Sequence, residues 1–344
     1  MYFAHFRVRP VRRGRRAAVP LDRITARRRA VTRGRAVLVV LGFAFAVLGA
    51  AAPAHAHRIA GNRVFPGTLS FDDPAVMDEF TLTATSLKQS GDNNDVVDNV
   101  ISWDFARLLT PTVSLAVGSG FIHRDWGDLR RSGFDEVDVM IKTLLYQSDV
   151  HEIMISAGVA GGIGRSGALG VGGNQFTTVL PGVFFGKGFG DLPNGLAWLR
   201  PFAVTGAVSV EIPTSGTSAA LDNSVPGELT PAVLRTDTIM HWGLSLQYST
   251  FYLTPRYTGR LRREEPLDQF IPLVEFAFDS PMRSKPAATM NPGLAYVGDK
   301  YQVAMEAIIP LNNTAGRSAG VRAQLLLFTD DLIPSLFGQP VFGR

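Results

Sequence analysis

The 344-residue chain contains no cysteine. That excludes disulfides and any thiolate metal site. From residue 57 to the end it has no run of 18 consecutive apolar residues, so any membrane passage made there is made by strands. No Pro/Gly/Ser-rich linker divides this part into separate domains. Acidic residues are nearly absent from one end. Residues 1–35 hold twelve arginines against the single carboxylate of Asp22. The apolar run Ala36–Ala56 follows and closes on Ala54-His55-Ala56. Basic region, apolar region and small-x-small site together read as a secretory signal over residues 1–56, cleaved after Ala56. The strongly apolar part, 17 residues from Ala36 to Ala52, is at the short edge of what spans a bilayer. "VTRGRAVLVVLGFAFAVLGAAAPAHA" from Val31 is an ordinary signal by itself, so translation is expected to start downstream of Met1.

Removing the leader reverses the charge. Lys+Arg falls from 34 to 22 and Asp+Glu from 30 to 29, taking a net +4 to about −7. The basic balance belongs to the leader, and nucleic-acid binding is not expected. What remains is dominated by alternation. In "YQVAMEAIIPLNNTAGRSAGVRAQLLLF" (Tyr301–Phe328), Tyr301, Val303, Met305, Ala307 and Ile309 fall on every second residue, against Gln302, Ala304 and Glu306. Val321, Ala323, Leu325 and Leu327 oppose Arg322 and Gln324. A period of 2 means strands. The same pattern recurs in twelve stretches: 76–89, 95–108, 112–124, 135–147, 151–164, 174–188, 196–212, 237–249, 268–279, 289–297, 301–311 and 318–328. Most reach the roughly 10 residues of a transmembrane strand, against the 5–6 usual in globular sheets. Charges occur along one face, as in a wet lumen.

The expected fold is therefore all-β: an antiparallel transmembrane β-barrel of about 12 strands, with 10–14 as bounds. It spans 76–328, after an N-terminal periplasmic arm (57–75) and before a C-terminal periplasmic tail (329–344). Short connections (110–112, 148–150, 298–300) alternate with longer ones (125–133, 165–173, 213–236, 281–288), as in bacterial outer-membrane barrels. The stretch 250–266 falls on the short side and breaks the rule. It reads as a plug, an extra hairpin, or a count off by two.

Three segments, "IPLVEFAF" (Ile271–Phe278), "NPGLAYVGDKYQVAMEAIIPLN" (Asn291–Asn312) and "FTDDLIPSLFGQPVF" (Phe328–Phe342), with the early "NRVFPGTLSFDDPAVMDEF" (Asn62–Phe80), resemble a group of proteobacterial outer-membrane proteins. These are labelled meta-pathway phenol-degradation transporters. The resemblance covers most of the chain after the leader. It implies a barrel in the cell outer membrane that admits small or aromatic solutes. The chain departs from the usual barrel ending in that sixteen residues follow Phe328, and Phe328 falls on the lumen parity.

The candidate functional surface is the lumen. Its inward positions carry Asp98, Asp104, Glu136, Asp138, Lys142, Glu152, Glu211, Asp237, His241, Glu275, Glu306 and Arg322. Carboxylates outnumber bases, which favours cations in a narrow aqueous passage. Trp103, Trp198, Trp242, Tyr248 and Tyr301 are expected as an aromatic girdle at the periplasmic end. The function expected is passive uptake of small solutes, aromatic or hydrophobic compounds among them. The alternatives are a closed structural or adhesion barrel and, behind it, a lipid-modifying enzyme. For the last, Ser119 and His123 share an outer face but lie about 13 Å apart along the strand, too far for a nucleophile–base hydrogen bond. The remaining histidines, His57, His151 and His241, show no metal-ligand spacing. "GVAGGIGRSG" (Gly158–Gly167) lacks the Lys-Ser/Thr end of a phosphate loop. No catalytic residue, metal or cofactor is expected. The partners expected are outer-membrane lipid, the barrel-assembly machinery and a small-molecule solute.

Overall fold

The computed structural model describes residues 58–89, 96–127, 129–222, 228–253 and 269–343. The leader and His57 lie outside these residues. Seventeen strands follow in chain order: β1 (Ile59–Ala60), β2 (Arg63–Val64), β3 (Glu79–Gln89), β4 (Val96–Thr110), β5 (Val113–Asp125), β6 (Arg130–Phe134), β7 (Asp138–Ser148), β8 (Ile153–Gly162), β9 (Thr178–Gly188), β10 (Phe202–Pro213), β11 (Thr217–Asp222), β12 (Thr230–Arg235), β13 (Ile239–Tyr248), β14 (Phe270–Pro281), β15 (Ala287–Val297), β16 (Tyr301–Pro310) and β17 (Gly320–Phe328). Twelve of them close a ring. Neighbours run β4-β3-β17-β16-β15-β14-β13-β10-β9-β8-β7-β5, and β5 pairs back onto β4. Every pairing is antiparallel, for example Glu306↔Arg322 and His241↔Asp279.

The twelve strands match the twelve alternating stretches, with ends shifted by a few residues. One shift is larger. The strand expected from 196 starts at Phe202, because Asn194–Leu199 forms 3₁₀ turns after Pro193. Arg200 caps those turns, still helical in φ/ψ and with its N–H bonded to the Ala197 carbonyl, and the strand begins only after Pro201. The odd segment 250–266 does not change the count, since β13 pairs directly with β14. Residues 254–268 lie outside the described part. The loop 125–133 carries β6, which pairs antiparallel with the last residues of β5, and the loop 213–236 carries the separate hairpin β11–β12.

Connections sort onto two rims. The turn rim holds Pro111–Thr112, 149–152, 189–201, 249–253 and 298–300, and both ends of the barrel. The loop rim holds 126–127, 129–137, 163–177, 214–222, 228–238, 282–286 and 311–319. The barrel is inside out relative to a soluble protein. On β16, Val303 and Met305 are exposed at 48% and 64%, whereas Gln302 and Glu306 are buried. On β10, Val208 is exposed and Ser209 buried.

One terminal expectation needs correction. Of the stretch expected as an arm outside the barrel, 57–75, the described residues lie inside it: from Arg58 to Asp78 almost every residue is buried. This segment has no sheet partner in the wall and is held instead by polar side chains of the lumen. Residues 329–343 follow β17 at the turn rim. They form α1 (Thr329–Leu332) and α2 (Pro334–Phe337) and dock on the barrel's outer wall, with Phe337 packed edge-on against Phe105.

The aromatic girdle also differs from expectation. Tyr248 and Tyr301 do sit at the turn rim, in a row on five consecutive strands with Phe202, Phe270 and Tyr296. Rings pair edge-on at 5.0 Å for Phe202–Tyr248 and for Phe270–Tyr296. Trp198 is also at the turn rim, exposed in the 3₁₀ segment of the 189–201 connection, whereas Trp103 is mid-strand on β4. Trp242 lies toward the loop rim, stacked on Phe278 with centroids 3.8 Å apart. Parity placed these rings outside, but depth depended on strand ends that alternation locates only to a few residues.

The outward parity gives a direct test. Val208→Arg should lower the yield of heat-modifiable barrel in lipid vesicles, since an arginine on the lipid face near mid-strand costs roughly 2–4 kcal/mol. Val150→Arg, in a turn where the side chain is 77% exposed, should fold as the parent does. Equal yields for the two variants would reverse the assignment of the outer wall.

Candidate functional site: the occupied lumen

The segment Arg58–Asp78 enters the barrel at the turn rim, turns at its middle and returns to the same rim. Near the rim, Gly61 N–H donates to Asp149 Oδ1 at 3.1 Å. The Arg63 guanidinium donates to the carbonyls of Pro201 and Phe202 at 3.0 and 3.1 Å and faces Glu152 at 3.4 Å. Its plane lies over the Tyr252 ring, 4.1 Å from the centroid. Deeper in, Gln302 brackets Gly67, accepting its N–H at 2.8 Å and donating to its carbonyl at 3.0 Å.

The apex is Leu69-Ser70-Phe71. Glu275 accepts the N–H of Leu69 at 3.1 Å and that of Ser70 at 2.8 Å. Arg322 donates to the Leu69 carbonyl at 2.9 Å, to Ser70 Oγ at 3.0 Å and to Glu306 at 2.7 Å. Ser70 Oγ donates to Glu306 at 3.0 Å and accepts from Asn291. Four consecutive strands, β14 to β17, each contribute one of these side chains. Inward parity every second residue and the antiparallel register bring them to one level. Phe71 closes the apex, lying on Gly243 and near Phe184. A Cβ at residue 243 would come within 2.3 Å of the Phe71 ring.

The return leg is ionic. Lys142 Nζ donates to Asp72 Oδ1 at 3.0 Å and to the Asp73 carbonyl at 3.1 Å. Arg58 pairs with both Asp73 and Glu79. Ser156 donates to the Pro74 carbonyl. Asp78 then meets Arg107 at 2.7 Å and accepts the N–H of Leu108 at 2.8 Å at the rim. A buried ion pair is no large gain by itself, but removing one partner costs about 3–5 kcal/mol through the charge left behind.

Of the lumen residues expected from parity, Lys142, Glu152, Glu275, Glu306 and Arg322 hold this segment directly. Others lie nearer the loop rim. Asp98 takes a two-pronged contact from Arg124 at 2.6 and 2.7 Å. His241 lies between Asp279, at 2.6 Å from Nδ1, and Glu211, at 3.1 Å from Nε2. Asp104 is buried beside Gly118, Asp138 lies beside Gly162, and Glu136 accepts the Asn174 N–H. Asp237 departs from expectation. It precedes β13, in the loop rim, and accepts the N–H of Arg283 at 2.9 Å. At the turn rim, burial of Asp191 opposes its ionisation, but hydrogen bonds from Lys187 and His151 outweigh it and hold the carboxyl below its ordinary value.

Parity reasoning did not find Arg58, Arg63, Asp72 and Asp73, because they lie in a segment with no period. One signal was available. The inward positions set nine carboxylates against Lys142 and Arg322, and of the two arginines ahead of β3, Arg63 meets one of them, Glu152. On the outer face, His123 Nδ1 meets Ser132 Oγ on β6 at 2.8 Å, while Ser119 donates to the Asp135 carbonyl.

A closed antiparallel ring leaves no unpaired edge for lipid to meet, and this one carries its apolar side chains outward. The chain folds as a closed twelve-strand β-barrel of the transmembrane kind. No protein-family model and no curated protein matches it. Among solved structures it is similar to the KdgM porin, with TM-score 0.40 and 10% identity over 72% of this chain and 98% of that one. It is also similar to the β domain of the Bordetella autotransporter BrkA, with TM-score 0.43 and 12% identity over 73% and 98%. A third is the outer membrane phospholipase A of Escherichia coli, with TM-score 0.32 and 10% identity over 74% and 93%. Likenesses this distant say nothing of cargo or chemistry.

The lumen contacts predict how the segment is held. Glu275→Ala strands two buried N–H groups at roughly 1–3 kcal/mol each. Amide exchange across residues 66–76, read by mass spectrometry, should accelerate about tenfold or more for each 1.4 kcal/mol lost, while exchange in β13–β16 stays slow. Unchanged protection of 66–76 would mean that Glu275 does not anchor the apex.

Proposed function

We propose that the protein is a channel for passive uptake of small solutes, gated by residues 58–78. The observation that carries this reading is the chemistry of the plug's seat. Its apex is held by hydrogen bonds and ion pairs that water can replace. Buried acceptors at this seat, Asp72 Oδ2, Asn291 Oδ1 and Glu306 Oε2, have no hydrogen-bond partner among the described residues. Each unsatisfied buried group costs about 1–3 kcal/mol, so withdrawal of the plug into a hydrated lumen recovers part of what it loses. With the segment withdrawn, wall carboxylates outnumber wall bases, and the open passage prefers cations. Aromatic and hydrophobic solutes, as the resemblance in Ile271–Phe278 and Asn291–Asn312 implies, are the first cargo to test. Phe184 and the small residues Ala207 and Gly243 offer them apolar wall at mid-barrel.

The rival reading, a closed structural or adhesion barrel, is favoured by the completeness of the plug's burial. A lipid-modifying activity is favoured by one observation, the His123–Ser132 contact at 2.8 Å on the outer face. Acyl release from phospholipid vesicles, lost in Ser132→Ala, tests it separately.

The decisive experiment uses the absence of cysteine. Ser70→Cys with Asn291→Cys joins side chains already in contact, and oxidation should lock the plug and abolish single-channel current in a planar bilayer. Reduction should restore it. Gly243→Val, which drives a side chain into the Phe71 ring, should raise open probability. Current that ignores the lock means solute passes beside the plug. No current in any form, Gly243→Val included, would leave the closed barrel as the correct reading.

A further inference from the structure

From Leu332 to Gly343 the chain has no charged residue. Leu332, Ile333, Leu336, Val341 and Phe342 are exposed at 40–63%. This is not a loose end. Val341 and Phe342 donate their N–H groups to the carbonyls of Leu108 and Leu109 at 3.1 and 2.7 Å, on the edge of β4 left open where β3 begins. Phe337 packs edge-on against Phe105, whose parity places it on the lipid-facing wall.

Arg107 carries the second observation. Its guanidinium is anchored on Asp78 and donates to the carbonyls of Leu336, Phe337 and Gln339 at 3.1, 3.2 and 2.7 Å. It also lies 5.1 Å from the Phe337 centroid. These carbonyls belong to a segment whose side chains are open to the surroundings, where water would satisfy them without help. Internal satisfaction of an outward-facing backbone is what burial in lipid demands.

We propose that residues 329–343 form a foot that seats in the headgroup–acyl boundary of the leaflet at the turn rim. Leu336, Val341 and Phe342 enter the lipid there. The occupant is lipid because the apolar face is continuous with the barrel's lipid-facing wall through Phe105. It also lies at the same rim as the row Phe202, Tyr248, Phe270, Tyr296 and Tyr301, at the depth where aromatic rings mark a membrane interface. Asp330 and Asp331 stand at the start of the foot, where it leaves β17, and Arg107 remains covered beneath it. An uncharged apolar face on a short, hydrogen-bonded segment fits a monotopic anchor lying in the interface plane.

The chain without cysteine allows single-site spin labelling of the full-length protein in vesicles of phosphatidylethanolamine and phosphatidylglycerol. Labels at Leu336→Cys and Phe342→Cys should collide more with oxygen than with a water-soluble nickel complex. Their oxygen-to-nickel ratio should be several-fold higher than at Val150→Cys, an exposed turn on the same rim. A ratio at both foot positions equal to that at Val150 overturns the proposal. So does dipolar broadening that grows with protein-to-lipid ratio, because it identifies a second copy as the occupant. Leu336 makes no side-chain hydrogen bond, so its replacement leaves folding intact. Ile333→Cys reads the same surface should Leu336→Cys assemble poorly.

Discussion

A ring of twelve strands with no open edge satisfies the wall's backbone without water, and the rest of the architecture follows from that closure. It fixes side-chain direction along each strand, so that Val208 meets lipid while Ser209 faces inward. It also concentrates everything polar into one narrow enclosure. Twelve strands make a lumen that side chains alone do not fill. The wall at mid-barrel is lined with small residues, Ala207, Gly243 and Ala277 among them, and space remains for a chain segment.

That space and its polarity explain the plug. An inward Glu275 needs donors, and the amides of Leu69 and Ser70 supply them. Arg322 needs acceptors, and Glu306 with the Leu69 carbonyl supplies them. Lys142 finds Asp72 across 70 residues of sequence. The plug has no ladder of its own beyond the two-residue pair β1–β2. Wall and plug therefore depend on each other: each leaves buried charge uncompensated without the other or water. A soluble protein would use an apolar core for this purpose. Here apolar packing is confined to patches such as Phe65, Met77 and Leu326, and Phe71 with Phe184.

How much of this was legible in the sequence follows from the same physics. Alternation at period 2 is imposed by the membrane on one side and the lumen on the other, so it reported twelve strands, their faces and the inward parity of Phe328. That ring is buried against Phe65, Met77 and Leu326. Strand ends answer to turn chemistry, which is why Asn194–Leu199 was taken into a strand and Trp198 with it. The plug was not legible as such. It is irregular, and irregular segments announce neither period nor partner. Only Arg58 and Arg63, ahead of an acidic lumen, hinted at it, and the segment's own Asp72, Asp73 and Asp78 masked the hint. The tail was equally silent, since its docking depends on Arg107, an outward arginine near a strand end that looks like any rim charge.

The asymmetry between rims is the last consequence. The plug enters and leaves by the turn rim, the aromatic row runs along it, and the C-terminal segment docks beside it. Arg107 and Asp78 join these features physically. Asp78 ends the plug, accepts the Leu108 amide of β4 and holds the guanidinium that caps the tail's carbonyls. One ion pair thus ties the segment inside the barrel to the segment outside it, across the wall at the point where β3 starts. Movement of the plug's return leg has a mechanical neighbour in the tail, whereas the loop rim, with its separate β11–β12 hairpin, has no such coupling among the described contacts. The turn rim therefore carries the contacts that hold the plug in place.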